Sequence, residues 1–215
     1  MKRWILPVHL SILAGCANLQ GPLWGSAPSP FTPEFYRSSG NAPLATPLPP
    51  VAVYPFVDKR SVPDPTFIGE HPARTGTHGR SAFYASEPVA TGVARAFVHG
   101  LRERGFQVLD RTMTPLRRER AEESVAVISG EVLEFSSSSR RTGLVSYEGS
   151  AAYHIRVQVY GREVGEVRWE KAHLKTSDAF IVNSQLVFLS RSLAETVDEA
   201  VNDPAFRAAL RRNSE

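Results

Sequence analysis

The 215-residue chain contains a single cysteine, Cys16. A disulfide needs two thiols and a cysteine-built zinc site needs several, so the sequence excludes both kinds of framework. Long hydrophobic runs are missing too: the most apolar stretch, residues 4–13, is about ten residues long, whereas a membrane-crossing helix needs roughly 20. We therefore expect neither disulfides nor a permanent transmembrane helix.

The motifs of common enzyme classes are also missing. The sequence has no Gly-x-Ser-x-Gly nucleophile elbow, no Gly-x-Gly-x-x-Gly dinucleotide turn and no phosphate-binding loop. We predict a protein that is not an enzyme and has no cofactor and no metal site. Two alternatives stay open: a loop metal site at Glu70, His71 and His78, and a cell-wall hydrolase in which Asp58, Glu70 and His71 converge.

The N-terminus has the layout of an export signal. Lys2 and Arg3 supply positive charge, residues 4–13 supply a short apolar run, and Ala14 and Gly15 supply the small residues of a cleavage site. This order of features predicts a leader over residues 1–15 that is removed from the mature chain.

Leu13-Ala14-Gly15-Cys16 also resembles, residue for residue, the lipobox of bacterial lipoprotein signals. The resemblance implies that Cys16 receives a diacylglycerol and that its new amino terminus is acylated, for example with palmitate. Two or more acyl chains anchor a protein stably, since one chain binds reversibly. No Asp follows the cysteine, and this implies, by the same resemblance, an outer-membrane location with the domain in the periplasm.

The charge balance argues against nucleic acid as a partner. The full chain has a formal net charge of +3, and removal of Lys2 and Arg3 with the signal leaves 23 basic against 22 acidic side chains. A nearly neutral domain has little net attraction for a phosphate backbone. We expect the membrane as one partner, reached through the N-terminal lipid, and an envelope protein or lipid as another.

Proline content divides the mature chain into a tether and a domain. Residues 16–50 begin at the lipidated cysteine and carry frequent prolines without helical or strand periodicity, which predicts a semi-stiff tether. Residues 51–215 have the length of one domain, with its folded part over 51–211.

The first half of the domain predicts a strand, a loop, a helix and a strand. Residues 51–58 are β-branched and aromatic, and Pro55 within them indicates a free edge or a bulge. Residues 59–85 are rich in proline and glycine and predict a long loop. A helix is expected over 86–104, capped by Ser86 and stopped by Gly105, followed by a strand at 106–110 and a short charged helix at 114–122.

The second half predicts a strand meander and two helices. A strand at 125–135, bulged at Gly130, leads into a polar turn at 136–143. Alternation places Tyr153, Ile155, Val157 and Val159 on one face of the next strand, and the third strand covers 166–176. Helices follow at 184–201 and after Asp203. The fold class is therefore α+β, with a single mixed, mainly antiparallel sheet and two longer helices packed on one face.

Four residues are candidates for binding. Asp58 and Arg60 lie on one side of a strand end at the mouth of the 59–85 loop, where they form either a binding ion pair or a structural pair that braces the loop. His71 and His78 lie within the same loop.

Short motifs along the domain resemble the YajG-type bacterial lipoproteins. They are "VAVYPFVDKR" at 51–60, Ile68-Gly69, "LRERGFQV" at 101–108 and "DPAFRAAL" at 203–210. The resemblance implies a periplasm-facing lipoprotein domain and assigns no ligand. Ser86 to Arg95 also resembles the helix start of auxiliary lipoproteins of lipid-transport ABC systems.

These features favour a non-catalytic envelope lipoprotein that binds another envelope component through the 59–85 loop and an exposed sheet edge near Pro55. The alternative is an accessory subunit of a lipid-transport ABC system. That alternative predicts an apolar groove between the helix at 86–104 and the sheet.

Overall fold

The computed structural model describes residues 50–72, 80–116, 126–143, 147–161, 166–178 and 182–211. The predictions for the leader, the lipobox Leu13 to Cys16, the tether to residue 49 and His78 concern residues outside these ranges. The described residues form an α+β fold whose elements, in chain order, are β1 Val51–Val53, β2 Val57–Asp58, β3 Phe67–Pro72, β4 Arg80–Tyr84, α1 Val89–Glu103, β5 Val108–Asp110, β6 Ala126–Arg141, β7 Tyr147–Tyr160, β8 Val167–Ser177, α2 Val182–Asn202 and α3 Pro204–Arg211.

The long strand β6 organises the sheet. On one side it pairs antiparallel with β7, which in turn pairs antiparallel with β8. On its other side it meets β1, β2 and β3 in succession, and all three run parallel to it. β5 extends the sheet beyond β1 in parallel, and β4 extends it beyond β3 in antiparallel. The large mixed sheet curls into a half-barrel.

The expectation of a mainly antiparallel sheet is therefore corrected. Among the described strands, four of the seven pairings are parallel. The physical reason is the connection: α1 lies between β1 and β5 in the chain, and a helical crossover returns the chain to the same end of the sheet.

The core lies between the helices and one face of the sheet, called here the inner face. From α1, Val93, Phe97 and Leu101 are fully buried, and the Phe97 ring lies 5.4 Å from that of Phe56. From α2, the buried residues include Leu189, Leu193 and Val197. The predicted alternation in β7 and the packing of both longer helices on one face are confirmed, with Tyr153, Ile155, Val157 and Val159 all buried in this core.

The predicted loop at 59–85 is wrong in part, because β3 and β4 form an antiparallel hairpin within it. The predicted cap of α1 is also wrong. The helix begins at Val89 after Pro88, and no side chain caps it. At the other end Gly105 has φ 87°, the left-handed conformation that was predicted for the helix stop.

The predicted polar turn at 136–143 is wrong for its first six residues, which continue β6 to Arg141. The register shift of the β6–β7 pair lies between Val132 and Glu134, not at Gly130. Gly130 has a different reason to be glycine: a Cβ there would overlap the carbonyl oxygen of Arg156.

Pro55 does interrupt the first strand, between β1 and β2. However, β1 is not an edge strand, because β5 and β6 pair with it on both sides. Among the described strands, β2 pairs with β6 alone, so the free edge near Pro55 is confined to Val57–Asp58. Of the predicted helix at 114–122, residues 114–116 are not helical and the remainder lies outside the described residues.

Candidate functional site

Arg60 and Asp58 meet at the end of β2, as the sequence predicts. The guanidinium Nε and Nη2 donate to the two carboxylate oxygens of Asp58 at 2.9 and 2.7 Å. The same guanidinium donates to the backbone carbonyls of Pro65, Phe67 and Phe135 at 2.8, 2.7 and 3.3 Å. The side chain of Arg60 is only 4% exposed. This geometry braces the segment between β2 and β3 against β6.

The electrostatics of Asp58 follow from this contact. Partial burial by itself would raise the pKa of the Asp58 carboxyl, but the hydrogen bonds and positive charge of Arg60 outweigh burial and lower the pKa. Asp58 is therefore a stable anion whose oxygens accept from Arg60. It is not placed as a proton-transfer group.

His71 lies on β3, where its ring is buried between two serines of β6. Ser137 Oγ donates to Gln185 Oε1 on α2 at 2.6 Å, so it accepts from His71 Nε2 at 3.2 Å. Nδ1 of His71 then accepts from Ser139 Oγ at 2.8 Å. The ring also packs edge-on against Phe83 of β4, with centroids 4.3 Å apart.

Burial lowers the pKa of His71, so the ring is neutral near pH 7. A neutral imidazole that accepts from a serine hydroxyl resembles one half of a nucleophilic site. Ser137, Ser139 and Gln185 are nevertheless all buried with the ring, and Glu70 points to the opposite face of the strand. The network joins β3, β6 and α2, and Asp58 does not hydrogen-bond to it within the described residues.

The three partners of His71 were not predicted. The sequence favours a turn for the serine run, because the alternation of apolar residues stops at Phe135. No local signal marks these residues as strand; their strand character comes from pairing with β7, which continues through Tyr147–Tyr160 and carries β6 on to Arg141.

A cavity of about 470 Å³ lies at the far end of the β6–β7 hairpin. Its side chains come from Ser138 and Arg140 of β6, Glu148 and Ser150 of β7, and Asp178 after β8. The side chains of Ser138 and Arg140 lie on the outer face of the sheet, and Ser139 between them, which donates to His71, also lines the cavity. His71 and Gln185 are not among the residues that line the cavity.

Neither a metal cluster nor a spanning helix is found in the parts of the chain given above. No group of three His, Cys, Asp or Glu side chains there is arranged to hold a metal ion. No helix there is both long and apolar enough to span a bilayer.

No protein-family model and no curated protein matches the chain. The solved structures that are similar to it include the following three. A Xanthomonas campestris protein of the family model DUF330 has a TM-score of 0.49 and 9% identity, over 80% of this chain and 91% of that one. A putative neuraminyllactose-binding hemagglutinin homolog from Helicobacter pylori has a TM-score of 0.48 and 6% identity, over 84% of this chain and 96% of that one. Lipoprotein GNA1162 from Neisseria meningitidis has a TM-score of 0.38 and 12% identity, over 72% of this chain and 99% of that one. Similarities this distant assign neither family nor function.

Proposed function

We propose that the chain is a non-catalytic lipoprotein of the bacterial envelope, anchored in the outer membrane by lipid on Cys16 and acting in the periplasm as a binding or assembly component. The observation that carries the proposal is the sequence of features at the N-terminus: positive charge, a short apolar run, then Leu13-Ala14-Gly15-Cys16. The proline-rich tether up to residue 50 separates that anchor from the folded domain.

The state of the polar side chains supports a binding role over catalysis. The carboxylate of Asp58 is occupied by Arg60, and the ring of His71 is buried between two serines. The hydrolase alternative requires Asp58, Glu70 and His71 to converge on one cleft, and these side chains do not. Both groups are engaged in contacts that hold neighbouring segments of the fold together.

The surface next to Arg60 is the predicted docking region. Val57 on β2 is 51% exposed, and β2 pairs only with β6 among the described strands. An exposed aliphatic side chain beside an unpaired strand edge offers both apolar contact and backbone hydrogen bonds to a partner.

The accessory-subunit alternative gains no support from the helix–sheet interface. That alternative predicts an apolar groove beneath α1, whereas Val93, Phe97 and Leu101 fill the interface and Phe56 packs against Phe97. A phospholipid tail would have to displace these buried side chains.

The anchor is tested by growing a diderm bacterium that expresses the full chain with a palmitate analogue. We expect label on the native chain in the outer-membrane fraction and none on Cys16→Ser. Ala17→Asp is the matched control: it keeps the cysteine and the label but, by the resemblance, stays in the inner membrane. Equal labelling of the native chain and Cys16→Ser would contradict the proposal.

The docking region is tested in the same strain with a photo-crosslinking amino acid. We expect a specific crosslinked band from position 57 and none from position 187, where Val187 of α2 is 57% exposed and serves as a control of equal accessibility. The same bands from both positions would show that the region near Pro55 has no special role.

A further inference from the structure

The cavity at the far end of the β6–β7 hairpin is not lined by Arg60 or His71, and it shares one residue, Ser139, with the hydrogen bonds of His71. We propose that it is a binding site for a small hydroxylated amine, with an amino sugar as the ligand that fits it best. Its volume of about 470 Å³ lies within the range of about 300–1,000 Å³ that is usual for small-molecule sites.

The lining defines the chemistry of the ligand. The side chains that line the cavity are hydroxyl, carboxylate and guanidinium groups, and Gly149 contributes backbone without a side chain. No aliphatic or aromatic side chain lines the cavity, so its apolar surface comes only from the carbon atoms of these polar residues and of the backbone. A ligand rich in hydroxyl groups is matched instead, because it can replace the water that these polar groups otherwise bind.

The hydroxyl pair is set by the strand register. Ser138 and Ser150 are directly opposite in the β6–β7 ladder, with their Oγ atoms 3.0 Å apart. One of the two hydroxyls donates to the other, which leaves one hydrogen and several lone pairs free for a ligand. Neighbouring hydroxyls of a sugar ring both donate and accept, so they suit such a pair.

The charges select an amine over an anion. Arg140 donates to Glu148 Oε2 from Nε at 2.9 Å and from Nη2 at 2.7 Å, so these two charges neutralise each other. The carboxylate of Asp178 is exposed, and no ion pair within the described part of the chain involves it. The lining therefore has a net charge of about −1, which attracts an ammonium group and repels phosphate or carboxylate.

The site lies far from the point where the tether enters the domain. Val51, the first residue of β1, pairs with Ala126, and Ser138 lies twelve residues further along β6. At about 3.3 Å per residue this is roughly 40 Å along the strand. The site requires neither the lipid anchor nor the docking region, so its failure would leave the proposed function standing.

The test is a ¹H–¹⁵N NMR titration of the full chain with glucosamine, glucose and ethanolamine. We expect saturable shifts of the Gly149, Ser150 and Asp178 amides with glucosamine, and about twofold to fivefold weaker binding of glucose, which lacks the amine. Equal binding of ethanolamine would keep the amine contact but overturn the sugar assignment. Equal binding of glucose would overturn the amine contact, and no shifts at all would overturn the site.

Three variants distinguish a loss of ligand contacts from a loss of the fold. Asp178→Asn should weaken glucosamine binding by the same twofold to fivefold and leave glucose unchanged. Ser150→Leu should abolish binding of both by filling the cavity. Glu103→Gln, which removes an exposed carboxylate from the end of α1, is the charge-matched control and should bind as the native chain does. Loss of binding in Glu103→Gln, or full binding in Ser150→Leu with a native spectrum, would contradict this location.

Discussion

The guanidinium of Arg60 illustrates how much one side chain contributes to this fold. It satisfies one carboxylate and three backbone carbonyls, and the Phe135 carbonyl is 75 residues away in the chain. A buried charge that loses its partner is expensive, and buried carbonyls without donors add to the cost. The pair identified from the sequence is thus a brace between the segment after β2 and the centre of β6.

Replacing Arg60 with Met should lower the free energy of unfolding by about 3 kcal/mol, because Asp58 and three carbonyls lose their donors in a mostly buried place. Urea unfolding followed by circular dichroism measures the change. Arg140→Met is the matched control: its ion pair with Glu148 has the same 2.7 Å contact but is exposed, so we expect a loss below about 1 kcal/mol. Similar losses in both variants would refute the brace.

At the scale of elements, the β3–β4 hairpin is attached to the sheet through a narrow contact. β3 pairs with β6 only at Gly69–Ser137 and Glu70–Ser138, and the His71 network adds side-chain bonds beside that pairing. A Cβ at Gly69 would overlap the carbonyl oxygen of Ser137. Close approach of two backbones is therefore the reason for glycine at this position.

Gly69→Ala should detach the hairpin from β6 while the rest of the sheet persists. We expect faster hydrogen exchange at the β3 amides and an unchanged rate in β7, measured by NMR or mass spectrometry. Gly143→Ala, at an exposed glycine beyond β6, should exchange as the native protein does. Unchanged protection of β3 in Gly69→Ala would show that the hairpin does not depend on this contact.

At the scale of the whole molecule, two buried histidines couple stability to pH. Burial lowers the pKa of His71. At His173, burial outweighs the opposite effect of Glu199, which accepts from Nδ1 at 2.9 Å, and Lys171 and Lys175 lower the pKa further. Both side chains therefore take up a proton in the unfolded chain at a higher pH than in the folded chain.

The contribution of these two histidines to the free energy of unfolding should be complete above about pH 6.5, the usual histidine pKa. It should fall as the pH drops below that value. Each histidine contributes at most about 1.4 kcal/mol per pH unit in that window. Urea unfolding at pH 7.5, 6.5 and 5.5 measures the slope, which His71→Gln with His173→Gln should flatten. His99→Gln, on the exposed side of α1, should not change it. A flat profile in the native chain would contradict the prediction.

The sequence alone determined what depends on local periodicity. Burial of one face imposes a period of 3.6 on a helix and 2 on a strand, so the buried stripe of α1, the alternation in β7 and the glycine stop at Gly105 could be predicted. The pair of Asp58 and Arg60 could also be predicted, because the two residues are only two positions apart in the chain.

Only the tertiary structure decided which segments meet. The parallel neighbours of β6, the strand character of the serine run, the hairpin in the predicted loop and the partners of His71 all depend on contacts between residues far apart in the chain. Arg104 is an example: this charged side chain is buried, with Nη2 2.7 Å from Asn202 Oδ1, 98 residues away. A local pattern reports how buried a residue is, whereas its partner is set by the folding of the whole chain.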